Sequence, residues 1–118
     1  MLASGRALVG SGVGKHLTCQ KRCAAEELDN ATHTNVILLT AKGEEHVDKK
    51  VEMYLDSLGV SVPALALDDC PNAVSLGRLV VELGYTFKWT RKTPPMLISP
   101  RGVKTILQVK GFVPYLPA

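Results

Sequence analysis

The central third of this sequence alternates between apolar and polar residues, and that alternation constrains the fold more than any other feature. Residues 36–41 (VILLTA) form a branched apolar run, and residues 47–55 (VDKKVEMYL) place Val47, Val51, Met53 and Leu55 on one face. A period of two residues is typical of a β-strand, so the polar turn KGEE between the runs predicts a β-hairpin. The turn DSLG and the run VSVPALAL predict a third antiparallel strand, with Pro63 at an edge or bulge.

The segment after this third strand changes its period to that of a helix. From Leu76 onward, apolar residues recur at i, i+3, i+4 and i+7, with Ser75 as N-cap and Gly84 just beyond the end. The pattern predicts a short amphipathic helix over residues 76–83, after which YTFKW alternates. The runs MLIS and VKTILQV flank the turn PRG and predict a second hairpin. The expected buried positions of the helix are Leu79, Val80 and Leu83.

Composition limits the class of protein. The 118 residues, 46% of them hydrophobic and 21% charged, are average globular usage and predict one folded domain over residues 1–118. The net charge of +3, basic at both ends and acidic in the middle, is too small to favour nucleic-acid binding. No apolar run approaches the ~20 residues that a membrane helix needs, so no membrane partner is expected.

Cysteine and histidine are too scattered to predict a metal or cofactor site. Cys19 and Cys23 have CxxxC spacing, and their only companion is the isolated Cys70. An odd number of cysteines without a signal peptide favours a reduced, intracellular setting, cytoplasmic by default.

The glycine-rich stretch LVGSGVGKHLT (residues 8–18) admits two functional interpretations beside that of a plain flexible turn. The first is a phosphate- or nucleotide-binding module that uses the loop 10–15. A Walker A loop requires a glycine where Val9 stands and a hydroxyl residue where His16 stands, so the match is incomplete. The second is a catalytic turn whose catalytic residue has been replaced.

The order of motifs resembles the aspartic-protease segment of copia-type retrotransposon Pol polyproteins, and more widely the retropepsins. In that family a strand ends in Asp-Ser-Gly or Asp-Thr-Gly, a flap hairpin follows, and an apolar pair before glycine opens a short helix. Here LVGSGVGKHL is similar to the first motif, VILLTAKGEEHVDKKVEMYL to the flap, and AVSLGRLVVELGYTF to the third. The resemblance implies a closed, mainly β barrel with one short helix, belonging to a larger polyprotein.

The resemblance also assigns residues. Gly10 stands where the family has its catalytic aspartate, while Ser11 and Gly12 match the residues that follow it. Lys42, Gly43 and Glu44 fall at the tip of the flap, where the family binds peptide, and Leu76 and Gly77 open the helix. The family's aspartates act as a pair from two subunits that share a proton and activate a water molecule. A glycine cannot do this, so the resemblance implies a catalytically degenerate hydrolase fold.

Three functions therefore stay open from the sequence. One is a pseudoenzyme that retains homodimerisation or binding of a peptide or polyprotein segment. Another is an aspartic endopeptidase that is active when paired with an intact copy. The third is the phosphate-binding module.

Overall fold

A computed structural model of the chain describes residues 7–23, 25–40, 43–68 and 72–117. Most of these residues lie in strands, so the prediction of a mainly β protein is confirmed. The strands are β1 (Leu8–Gly10), β2 (Leu17–Cys19), β3 (Thr32–Thr40), β4 (Gly43–Leu55), β5 (Val60–Leu67), β6 (Ala73–Ser75), β7 (Thr86–Thr90), β8 (Thr93–Ile98), β9 (Lys104–Ile106), β10 (Gln108–Lys110) and β11 (Val113–Tyr115). The helices are a 3-10 turn (Gln20–Arg22), α1 (Ala25–Asp29) and α2 (Leu76–Val81).

The predicted antiparallel series in the middle of the chain is confirmed. β3 pairs with β4 and β4 with β5, all antiparallel. The turn after β4 contains Gly59 at φ +67°, a left-handed conformation that glycine adopts without steric cost. Pro63 pairs with Glu52 of β4, whereas only Leu65–Leu67 of β5 pair with β2. At the proline, β5 therefore has a neighbour on one side only among the described strands. A residue without a backbone N–H is tolerated at such an edge position.

The N-terminal strands enclose a strand from the middle of the chain. β6 lies between β1 and β2 in the larger sheet, parallel to β1 and antiparallel to β2. The connection from β1 to β2, which contains the glycine-rich loop, therefore passes the end of β6 where α2 begins.

The described strands form two sheets, neither of which closes on itself. The larger has the order β10-β11-β1-β6-β2-β5-β4-β3, and the smaller has the order β7-β8-β9. The closed barrel that the resemblance implies is not seen among the described residues, because β10 and β3 end the sheet without pairing. Leu107 separates β9 from β10, and its N–H donates to the carbonyl of Pro95 at 2.9 Å. This break divides the predicted strand VKTILQV between the two sheets.

The main core lies between the larger sheet, α2 and the smaller sheet. It includes Val9 of β1, Met53 of β4, Val74 of β6, Leu79 of α2 and Leu97 of β8. A second cluster packs Val47, Leu65 and Leu67 against β3. None of the helices that the described residues form is long and apolar enough to cross a membrane.

The predicted helix exists but is shorter and less buried than its pattern suggests. α2 ends at Val81 rather than at residue 83, and Gly84 turns the chain away at φ +75°. Leu79 is fully buried, as predicted, but Val80 and Leu83 are 40% and 37% exposed. Burial of those two was predicted wrongly, because α2 has only six residues, of which Leu79 is buried and Leu76 packs partly buried against the core.

Candidate functional site

The structure brings the first and third sequence motifs together. β1 ends at Gly10, and the parallel ladder with β6 pairs Val9 with Val74 and Gly10 with Ser75. Ser75 immediately precedes Leu76 and Gly77, which open α2. The residues Gly10–Gly12 and Leu76–Gly77, 64 positions apart in sequence, therefore occupy adjacent ends of two neighbouring strands.

A buried histidine fixes the far end of the glycine-rich loop. His16 is 3% exposed, and its Nδ1 accepts a hydrogen bond of 3.0 Å from the backbone N–H of Ser75. Its carbonyl oxygen accepts from the N–H of Leu65 at 2.9 Å. His16 thus joins the loop to both β6 and β5. Because Nδ1 accepts, the imidazole is the neutral tautomer with its proton on Nε2.

The electrostatics of His16 keep it neutral. Burial lowers its pKa below the ordinary value, the positive charge of Arg78 lowers the pKa further, and Glu82 opposes both effects. The ring therefore remains an acceptor for Ser75 at neutral pH.

Arg78 holds the loop from the helix side. Its Nε donates to the carbonyl oxygen of Gly14 at 2.7 Å, and its Nη1 forms an ion pair with Glu82 one turn later, also at 2.7 Å. The hydroxyl of Ser75 accepts from the N–H of Arg78 at 3.3 Å, as the predicted N-cap. Sequence reasoning gave His16 no role and did not place Arg78 at this site, because both contacts join residues about 60 positions apart.

Position 10 can carry a side chain. A Cβ built on Gly10 would lie 3.2 Å from Cγ2 of Val13, so the half-buried Val13 side chain must shift by a few tenths of an ångström to accommodate it. Gly10 does not have a positive φ. The backbone at position 10 therefore has a conformation open to other residues, whereas Gly10, Ser11 and Gly12 themselves carry no carboxylate or imidazole.

The predicted hairpin is present as β3–β4, the segment that the resemblance compares with the flap, and the two strands pair closer to the turn than expected. Thr40 pairs directly with Gly43, which has φ +110°. Glu44 is exposed and pairs with Leu39. Lys42 lies outside the described residues, as does the turn, so peptide binding at this tip stays a prediction.

Two grooves flank this framework. A polar groove of about 350 Å³ runs beside β4 and is lined by Gln20, Glu45, Lys49 and Asp68, among others. A larger and more apolar groove of about 470 Å³ lies beyond the C-terminal end of α2, between Leu58, Leu83, Tyr85 and Val103.

The cysteines and acidic residues form no metal site within the described part of the chain. Cys19 is a buried free thiol and Cys23 a half-buried one, while Cys70 lies outside the described residues. No cluster of three or more His, Cys, Asp or Glu that could hold a metal occurs among the residues described.

Comparisons with protein-family models and with curated proteins give no match to this chain.

Proposed function

We propose that this chain is a catalytically degenerate, retropepsin-like domain that retains binding of extended peptide segments rather than their cleavage. One observation carries the proposal. The first and third motifs of the resemblance lie side by side, with Gly10 paired to Ser75 at the end of β1. The residue at the catalytic position has no carboxylate.

The surrounding structure supports the same assignment. A strand ending at Gly10, the hairpin β3–β4 and a strand opening into α2 follow one another in the order that the resemblance requires. The loop that follows Gly10 is fixed at Gly14 and His16 by contacts to Arg78 and Ser75. Gly10 is paired to Ser75 at the other end, so the loop is held at both ends and keeps a fixed position for ligand binding without a catalytic residue.

The residues of the loop do not favour the phosphate-binding alternative, because Val9 and His16 stand where a Walker A loop has a glycine and a hydroxyl residue. The N–H groups of Ser75 and Arg78 at the start of α2 donate to His16 and to the Ser75 hydroxyl. These donors are therefore used within the protein and are not offered to an anion.

Restoring the carboxylate tests the proposal. In Gly10→Asp, two acids from two copies of the chain would share a proton, and we expect cleavage of a peptide library that peaks at mildly acidic pH. The gain should be at least the ~10²-fold to 10⁴-fold effect of a general base. A hydroxyl-bearing statine peptide should inhibit it as a transition-state mimic. Gly10→Asp combined with Val13→Ala relieves the 3.2 Å contact and guards against a misplaced side chain.

Gly10→Asn is the matched control, because it has the same shape and cannot ionise. It should remain inert, as should the unaltered chain, and the unaltered chain should bind the statine peptide weakly. The proposal fails if the unaltered chain cleaves peptides in a statine-sensitive way. It also fails if both aspartate variants fold and self-associate yet remain inactive.

A further inference from the structure

The groove beyond the C-terminal end of α2 lies between three turns of the chain. Residues 57–59 follow β4, residues 83 and 85 follow α2, and residues 99–101 follow β8. The volume of about 470 Å³ falls within the range of about 300–1,000 Å³ that is usual for small-molecule sites. The groove is therefore of a size to hold a small organic molecule.

Two of these turns are held in place and contact each other. The N–H of Ser99 donates to the carbonyl oxygen of Val103 at 2.9 Å, and the N–H of Val103 donates to Oγ of Ser99 at 3.1 Å. A Cβ built on Gly84 would lie 3.1 Å from Cγ of Pro100, so the turn after α2 packs closely against the turn after β8. The groove therefore has a fixed wall before any ligand binds, which lowers the entropic cost of binding.

The side chains that line the groove are apolar or carry a hydroxyl, with one exception. Leu58, Leu83 and Val103 supply apolar surface, and Arg101 is the only charged residue among the described residues of the lining. Arg101 is exposed and forms no ion pair or hydrogen bond within the described part of the chain. A guanidinium without a partner beside apolar surface complements a ligand that has a negative charge and an apolar body.

Tyr85 adds a hydrogen-bond donor to this lining. The residue is 6% exposed, and its hydroxyl makes no hydrogen bond with the described residues. No buried polar side-chain atom of the described residues lacks a partner, so this hydroxyl must be accessible, and the groove is the opening that Tyr85 lines. Burial raises the pKa of Tyr85, so the hydroxyl keeps its proton at neutral pH and can donate it to a ligand.

We propose that this groove binds a small amphipathic carboxylate, a molecule with an apolar body and one carboxylate group. The apolar body packs between Leu58, Leu83 and Val103. The carboxylate accepts hydrogen bonds from the guanidinium of Arg101 and the hydroxyl of Tyr85.

The charge of the groove favours a carboxylate over a phosphate. The planar donors of one guanidinium match the two oxygens of a carboxylate and balance its single charge. A phosphate monoester carries nearly two charges, which one arginine does not balance. The groove lies at the opposite end of α2 from the glycine-rich loop, so this inference is independent of the proposed function.

Titration of octanoate into the isotope-labelled full chain, followed by NMR, tests the proposal. We expect saturable chemical-shift changes at residues 57–60 and 99–105, and none at residues 10–16. Octanol and octylammonium have the same apolar body but are neutral and cationic. Both should bind at least about tenfold more weakly than octanoate, because the hydrogen bond to a charged group is lost.

Variants assign the two polar contacts. The dissociation constant of octanoate should rise about tenfold or more in Arg101→Gln and about threefold to tenfold in Tyr85→Phe. Both variants should fold, because Arg101 is exposed and the hydroxyl of Tyr85 has no partner among the described residues. Arg91→Gln is the matched control, because Arg91 is exposed and is not part of the lining, and its affinity for octanoate should be unchanged.

The proposal is overturned if octanoate shows no saturable binding, or if octanol or octylammonium binds as tightly as octanoate. It is also overturned if Arg101→Gln and Arg91→Gln bind octanoate equally well. An apolar peptide that shifts the same residues where octanoate does not would overturn it too, and would assign the groove to a peptide partner.

Discussion

The hydrogen bond between His16 and Ser75 provides a direct test of how the glycine-rich loop is held. Both residues are buried, and the Nδ1 atom of His16 is the acceptor for the Ser75 N–H at 3.0 Å. In His16→Leu the side-chain volume is nearly kept while the acceptor is lost. The buried N–H then has no partner, which costs about 1–3 kcal/mol of unfolding free energy.

His16→Asn is the informative comparison, because the Oδ1 of asparagine stands close to the place of Nδ1 and can accept the same hydrogen bond. We expect His16→Asn to be more stable than His16→Leu by most of that 1–3 kcal/mol, measured by urea denaturation. If the two variants unfold at the same urea concentration with equal slopes, the hydrogen bond does not stabilise the loop.

The same histidine predicts a pH dependence. Its pKa in the folded state lies below the ordinary value of 6.5, so between these two values the unfolded chain binds more protons than the folded one. The free energy of unfolding must therefore fall as pH decreases from about 6.5, and this loss stops below the folded-state pKa. His33 and His46 remain in His16→Asn, so the difference between the two pH profiles isolates His16. Parallel profiles would refute this account.

Two further predictions use matched pairs of variants. Leu79→Ala should lower the free energy of unfolding by about 2–5 kcal/mol, because Leu79 is 0% exposed in the main core. Val81→Ala on the same helix should change it by less than about 0.5 kcal/mol, because Val81 is exposed. Thermal denaturation with equal helix content in both variants would check this, and similar melting temperatures would contradict the assignment of the core. Gly59→Ala should lower the free energy of unfolding by about 1–2 kcal/mol, because φ is +67° at this position. Gly12 has open space around it and no positive φ, so Gly12→Ala should change that free energy by less than about 0.5 kcal/mol in urea denaturation. Equal losses in the two glycine variants would show that the turn after β4 does not require the left-handed conformation.

Local sequence patterns were sufficient to predict the elements that depend only on residues close to one another in the chain. The alternation in residues 47–55 predicts β4, and the runs on either side predict its two partners, because hairpins join strands that are adjacent in the chain. Ser75 likewise predicts the start of α2, because its hydroxyl caps the helix. Gly84 predicts the turn that follows α2, because glycine readily adopts a positive φ. Local sequence therefore predicts most of the strands β3, β4 and β5 and the start of α2.

The resemblance to a protease motif located Gly10 and Leu76–Gly77, but no local pattern shows that they are neighbours. That depends on the insertion of β6 between β1 and β2, which is a choice among non-local pairings. The roles of His16 and Arg78 follow from the same insertion, because each contacts a residue that only this topology brings near.

The burial of side chains in and after α2 was also predicted only in part. The helical period correctly identified Leu79 but could not distinguish it from Val80 and Leu83, because a period gives directions around a helix and not the extent of the surface that covers it. The sequence by itself determined the strands of the two hairpins and where α2 begins, but it did not predict the three-residue strands β2, β6 and β11 or the helix α1. Only the tertiary structure decided which strands meet, since pairing across more than 60 residues is selected by the packing of the whole core.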